Sequence, residues 1–377
     1  MRLMLCVFCR LTSYRRCDKI QAWCINKNKV KESEQMKNIT LGSTGITTPQ
    51  NAFGALPLQR DSMDVSVKIL QKAYNGGITF YDTARAYSDS EEKIGAALSD
   101  VRENIFIATK TMAQNTEQMK SQLETSLKTL KTDYIDIYQF HCAGQCYKPG
   151  DGTGMYELME DFKRQGMIRH IGLTAHKIGV AEECIESGLY ETLQFPFSYL
   201  SSERELALAD KCREHNMGFI AMKALAGGII TNSRTAYAFI GQYDNVLPIW
   251  GVQRENELDQ WLSYMNDTPV MTQEIENEIN EDKRQLGGNF CRGCGYCMPC
   301  PVGIQINNCA RMSLMLRRAP SDAWLSETWR NNMKQIENCL NCGQCKKKCP
   351  YELDTPELLK VNYEDYVKVL AGEVKVK

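Results

Sequence analysis

Eight of the 17 cysteines in this 377-residue chain fall in two short runs. The first is Cys291-x2-Cys294-x2-Cys297-x2-Cys300-Pro301, and the second is Cys339-x2-Cys342-x2-Cys345-x3-Cys349-Pro350. Three cysteines at even spacing let one loop wrap three irons of a [4Fe–4S] cube. The fourth comes from a Cys-Pro, where the proline ring stiffens the chain as it leaves the cluster. The second run has the full spacing of such a site, and the first is one residue shorter before its last cysteine. Where two cubes share a chain, the fourth cysteine of one run often serves the other cube, so the pairing stays open. Zinc sites use paired Cys-x2-Cys knuckles, four sulfurs to one ion, and fit these evenly spaced triplets less well. No stretch reads as a secretory signal, which disfavours disulfides. The chemistry expected of these eight residues is the handling of single electrons by two [4Fe–4S] clusters.

A second set of residue types can move a proton. Asp82 stands in Tyr-Asp-Thr-Ala-Arg-Ala-Tyr, with Tyr87 five residues later; Lys110 ends Ile-Ala-Thr-Lys, and His141 ends Asp-Ile-Tyr-Gln-Phe-His. Singly, each has a plain structural role: a loop tyrosine, a surface lysine, a partly buried histidine. Together they put a phenol beside an ammonium, a carboxylate and an imidazole. A phenol with a pKa of about 10 is a poor acid at neutral pH, and a neighbouring ammonium lowers that value. Asp82 is expected to pair with Lys110 and fix it. Tyr87 then protonates a carbonyl oxygen as hydride reaches the carbon, with His141 orienting the carbonyl.

These residues need elements that bring them to one place. β-rich runs at 78–83, 105–110, 134–141, 168–174, 193–198, 218–224 and 246–251, with an earlier one near 51–54, alternate with helical patterns at 65–74, 117–130, 155–165, 180–187 and 203–215. This alternation predicts an α/β fold, a (β/α)8 TIM barrel, whose catalytic residues sit at the C-terminal ends of strands. A doubly wound open sheet is the alternative, weakened because no Gly-x-Gly-x-x-Gly follows the first strand. Asp82, Lys110 and His141 are expected to close the second, third and fourth strands. Residues 273–288 read as a connecting helix with Ile275, Ile279 and Leu286 on one face and Gly287-Gly288 as its stop. The expected domains are an N-terminal extension at 1–36, the barrel at 37–268, a linker helix at 269–289 and a mainly helical cysteine domain at 290–377.

Over roughly residues 38–265 the chain resembles the aldo-keto reductase family. The matching pieces are Leu-Gly-Ser-Thr-Gly, Gly-Gly-Ile-Thr-Phe-Tyr-Asp-Thr-Ala-x-x-Tyr, Ala-Thr-Lys, Asp-Ile-Tyr-Gln-Phe-His, Ile-Arg-His-Ile-Gly-Leu-Thr, Gln194 and Ile-Trp-Gly-Val-Gln-Arg. The resemblance implies Asp82, Tyr87, Lys110 and His141 as a catalytic tetrad acting on a small carbonyl or alcohol. It also implies a nicotinamide cofactor, NADP(H) or NAD(H), lying across the barrel mouth. Thr174 and Gln194 stand where the family holds the carboxamide. Gly251, Gln253 and Arg254 stand at its phosphate-binding stretch, with Arg254 the residue to grip a 2′-phosphate. Met222-Lys223 replaces the aromatic that many members stack on the nicotinamide. With the motif at 291–301, the chain resembles the iron–sulfur subgroup of that family, which carries a ferredoxin-like two-cluster domain.

The net charge is −1, which argues against nucleic acid as a partner. No apolar run reaches the length of about 18 residues that a membrane span needs, so a cytoplasmic protein is expected. Residues 1–37 hold nine Lys/Arg against three Asp/Glu, which leaves −7 for the remainder. The extension, with Cys6-x2-Cys9, is read as having no folded role. Cys142 and Cys146 follow His141 toward the mouth, Cys309 reads as core filling, and Lys346-Lys347-Lys348 is either a solvated face or a dock for an acidic carrier such as a ferredoxin or flavodoxin. Hydride moves two electrons at once and a cube moves one, so coupling them normally needs a converter such as a flavin, for which no signature is found. Three readings follow: a carbonyl reductase served by its clusters, an electron-transfer protein with the barrel as scaffold, or a reductase with structural clusters.

Overall fold

The computed structural model of the protein describes residues 36–286, 290–318 and 321–376. The expectations for residues 1–35, for Cys6 and Cys9, and for Gly287-Gly288 lie outside the described residues. Two short strands, β1 (Asn38–Thr40) and β2 (Thr47–Pro49), form an antiparallel hairpin. Eight parallel strands follow: β3 (Ala52–Gly54), β4 (Phe80–Asp82), β5 (Phe106–Thr111), β6 (Ile135–Phe140), β7 (Ile168–Thr174), β8 (Thr192–Pro196), β9 (Gly218–Met222) and β10 (Val246–Gly251). Each pairs with the next and β10 pairs with β3, so the sheet closes into a barrel. Closure decides for the (β/α)8 barrel against the open doubly wound sheet.

Both faces of a closed parallel sheet are covered, so its strands need continuous apolar runs rather than alternation. β6 and β8 are buried at every residue. Ala52, Phe80, Ala108, Ile137, Ile220 and Leu247 point into the barrel, where Ile39, Leu41 and Ile46 of the hairpin meet them. The hairpin lies at the end where the strands begin: Gly42 bridges to Met217, just before β9. A Cβ at Gly42 would sit 2.5 Å from the backbone of residues 216–218, at a φ of +50°, so only glycine permits this approach. With that end plugged, chemistry is confined to the C-terminal ends of the strands.

The expected helices appear as Met63–Asn75, Thr116–Leu130, Met155–Arg164, Ile178–Ser187 and Glu203–Glu214. The last begins in a capping box: Glu205 N–H donates to Ser202 Oγ at 3.3 Å, and Ser202 N–H donates to Glu205 Oε2 at 2.7 Å. Ser90–Leu98, Ser233–Ile240 and Glu255–Ser263 are further helices around the barrel. Three strand ends differ from expectation. His141 stands one residue beyond β6, Lys110 is the penultimate residue of β5, and β9 stops at Met222 because Lys223 turns to a φ of +55°.

The helix Gln273–Leu286 buries Ile275, Ile279 and Leu286, as its pattern requires. Beyond it, Met312–Arg318, Glu327–Lys334 and Thr355–Leu370 pack around Met312, Leu316, Met333, Leu359 and Tyr366. Cys309 is fully buried in that core, a filler as expected, and Cys291, Cys297 and Cys345 border it. Among the described residues no helix is long and apolar enough to cross a membrane.

Candidate active site

Asp82 closes β4 and Lys110 lies beside it on β5. Lys110 Nζ donates to Asp82 Oδ1 and Oδ2, each at 2.7 Å, and to the Thr83 carbonyl at 2.5 Å. An ammonium has three donors, and all three are engaged here. Both side chains are buried, 1% and 3% exposed, so the pair is shielded from water. Tyr87 sits on the turn after β4, its N–H bonded to Ala84 O at 3.0 Å. Its ring centroid is 5.2 Å from Lys110 Nζ and 5.5 Å from the His141 ring, which meets it edge-on at 80°. The four residues read from the sequence therefore meet at one place on the mouth.

The electrostatics differ from expectation at Tyr87. Burial, then the facing Asp82 carboxylate and Cys142, hold its phenol well above the ordinary value. Burial, then the Lys110 charge, hold the His141 imidazole down to about 3, so the ring is neutral. Its Nδ1 is buried without a partner. Burial also pushes the Asp82 carboxyl up, against the pull of Lys110 and Gln194.

The residues expected around a nicotinamide are engaged by the chain itself. Thr174 Oγ1 accepts from Cys142 N–H at 2.7 Å. Gln194 Oε1 accepts from Gln139 Nε2 at 3.0 Å, and Gln194 also bonds to Asp82. Gly251 ends β10, where a Cβ would meet the Pro57 ring at 3.2 Å. The N–H groups of Gln253 and Arg254, which should face a phosphate, donate to Glu257 Oε2 at 2.9 and 3.0 Å. A carboxylate already fills that anion position. A bound dinucleotide would have to share or replace these internal hydrogen bonds.

The cysteine module rests on the same mouth. Tyr296, between Cys294 and Cys297, donates its hydroxyl to the Cys142 carbonyl at 3.3 Å and meets the His176 ring edge-on at 5.3 Å. Tyr351 lies 3.0 Å from His176 Nδ1, and Arg292 pairs with Glu205 at 3.3 Å. Sequence reasoning missed His176, Tyr296 and Tyr351 as mouth residues. Tyr296 was visible inside the first run, but nothing local marks its partner 154 positions away.

The eight thiols fit cubes. None of the cysteines among the described residues is in a disulfide. Cys297 and Cys300 of the first run line one cavity with Cys339, Cys342 and Cys345 of the second. Burial, then the neighbouring Cys294 and, least, Cys349, push the Cys291 thiol up. Cys339 and Cys342 are exposed, and Lys346 pairs with Asp354 at 2.6 Å, which leaves Lys347 and Lys348 to form the basic face.

Comparison with known proteins agrees with this architecture. The sequence model of the aldo/keto reductase family matches residues 38–237, and that of a 4Fe-4S dicluster domain matches residues 290–354. The chain is 28% identical to an uncharacterized oxidoreductase, YqkF, of Bacillus subtilis, over 52% of this chain and 67% of that protein. It is 29% identical to the aldo-keto reductase YhdN of the same organism, over 47% of this chain and 57% of that one. The match thus spans between about half and two thirds of such curated relatives. An aldo-keto reductase from Klebsiella pneumoniae in complex with NADPH superposes with a TM-score of 0.57 at 21% identity, covering 67% of this chain and 95% of that one. At that identity the likeness speaks to the fold.

Proposed function

The chain belongs to the aldo/keto reductase family and carries a 4Fe-4S dicluster domain behind its barrel, and on that premise we propose an oxidoreductase that interconverts a small carbonyl and its alcohol beside Tyr87. The observation that carries this reading is the meeting of Tyr87 and His141, rings 5.5 Å apart, over the buried Lys110–Asp82 pair. Tyr87 keeps its proton at every ordinary pH and serves as the donor to a carbonyl oxygen. His141, neutral, offers a hydrogen bond that orients the same oxygen. Lys110 and Asp82 act through position: their ion pair fixes the floor on which Tyr87 stands.

The Klebsiella reductase was solved in complex with NADPH, and this supports a nicotinamide as the hydride source for the barrel's chemistry. Thr174, Gln194, Gly251, Gln253 and Arg254 are the residues that should hold it, and their engagement by the chain's own groups opposes it. We derive no step through it. For the clusters, we assign Cys291, Cys294, Cys297 and Cys349 to one cube and Cys339, Cys342, Cys345 and Cys300 to the other. Bound there, cubes supply single electrons. The exposed thiols Cys339 and Cys342 are the side of the module open to a ferredoxin or flavodoxin carrier.

The test is Tyr87→Phe in anaerobically purified protein with full iron and labile sulfide. Carbonyl-dependent oxidation of NADPH, or of a reduced ferredoxin or flavodoxin supplying the two electrons through the clusters, should fall by roughly 10²–10⁴-fold, the usual weight of a positioned proton donor. Unchanged turnover with intact clusters would remove Tyr87 from the chemistry and favour the barrel as a scaffold.

A further inference from the structure

We propose that the first cysteine run of the module occupies the place of a nicotinamide dinucleotide on this barrel, latched there by Tyr296 and Arg311, so that the mouth is closed to any dinucleotide. This goes beyond the reading of Tyr87 as a proton donor and does not depend on it.

The contacts come from three sides of the mouth. After β6, Cys142 turns back at a φ of +52°, and its two backbone groups face different elements. Its N–H is bound by Thr174 of β7, and its carbonyl takes the Tyr296 hydroxyl. The hydroxyl expected to meet a carboxamide therefore holds the loop on which the module rests.

After β9, Arg311 Nη1 donates to the Gly227 carbonyl at 3.0 Å. The guanidinium lies so close that a Cβ at Gly227 would come within 2.8 Å of Nη1, and one at Gly293 within 2.9 Å of Cζ. Both glycines have positive φ, +69° and +64°. Arg311 thus lies between the barrel loop and the first cysteine run, close to both.

The third side is Lys223. It lines a small cavity with Phe197, Ser198, Ala226, Phe290 and Arg292, partly roofed by residues that flank Cys291. It forms no ion pair among the described residues. Burial, against the neighbouring Cys294 and Cys142, holds its ammonium below the ordinary value. By the family resemblance this is the position of the aromatic that stacks on a nicotinamide. Here its cavity is bordered by Phe290 and Arg292, which flank Cys291 of the first run, and thiolates around a cube carry negative charge. At the far edge, Glu257 fills the amides of Gln253 and Arg254. Every region in which the family resemblance places a dinucleotide contact is therefore occupied by a group of this chain.

The decisive experiment is calorimetric titration of the cluster-loaded, full-length protein with NADPH and with NADH, repeated by nucleotide fluorescence. Typical nicotinamide enzymes bind in the range of about 1 μM to 1 mM. No saturable binding is expected for either nucleotide across that range. Saturable binding of either one would overturn the proposal, whatever the fate of Tyr87→Phe. A second variant tests the latch: Tyr296→Phe with Arg311→Met removes both hydrogen bonds while keeping bulk. Amide exchange in residues 142–146 and 223–228 should quicken at least tenfold while the cluster EPR signals persist. Unchanged exchange with intact clusters would show that these two residues do not hold the module on the mouth. The potential of the cluster bound by the first run should also fall in Lys223→Met, followed by EPR-monitored titration, because a facing positive charge is removed. No change in potential would place Lys223 away from that cluster.

Discussion

Lys110 contacts both carboxylate oxygens of Asp82 at 2.7 Å in a site where neither side chain reaches water. Breaking such a pair by removing one partner leaves an uncompensated charge and costs about 3–5 kcal/mol. Lys110→Met should therefore lower the unfolding free energy, read from denaturant titration, by that amount. The double variant with Asp82→Asn should recover most of it, because the stranded charge is gone. A single variant losing under about 1 kcal/mol would mean that the pair is not shielded.

The acid–base groups of the mouth should be silent across ordinary pH. His141 takes a proton only near pH 3, because burial and Lys110 oppose its charge. Tyr87 loses its proton only far above pH 10, because burial and Asp82 oppose the phenolate. Turnover should then show no limb from either residue between about pH 5 and 9. A limb near pH 6.5 that disappears in His141→Gln would contradict this account of the site.

Much of this arrangement was legible in the chain. The cysteine spacings encode ligand geometry directly, and Asp82, Lys110 and His141 lie within one residue of strand ends. The β1–β2 hairpin was not legible, since three-residue strands carry no period. The helix Ser233–Ile240 has only eight residues, little more than two turns, too few for a period to stand out. The direction of the Tyr87 shift was missed because it is set first by burial in the folded chain. The contact of Tyr296 with Cys142 was missed because it depends on how a distant module docks.

The cluster pairing can be read by exchange of single ligands. Cys300, with Cys297, shares a cavity with the second run, and the assignment above gives Cys349 to the first. Cys300→Ser should alter the EPR signal of the cube bound by Cys339, Cys342 and Cys345. Cys349→Ser should alter the other. The reverse assignment would show that each run binds its own cube.

Acid stability offers a last check, on the side of the barrel away from the chemistry. Burial raises the Glu191 carboxyl, but hydrogen bonds from His170, Lys163 and the Ile171 amide outweigh it and hold the group down to about 2. The bonds are short, 2.6 Å to His170 Nδ1, 2.7 Å to Lys163 Nζ and 3.0 Å to Ile171 N. A carboxyl depressed in the folded state stabilises it above the unfolded value near 4.5, and that stability is lost as pH falls toward about 2. The contribution is on the order of 3 kcal/mol, from the size of the depression. Glu191→Gln should therefore be destabilised at pH 7 and should lose less stability than the parent between about pH 4.5 and 2. Iron–sulfur sites are themselves acid-labile, so the comparison is between the two proteins at each pH. Parallel stability curves over that interval would remove Glu191 as the source of the slope.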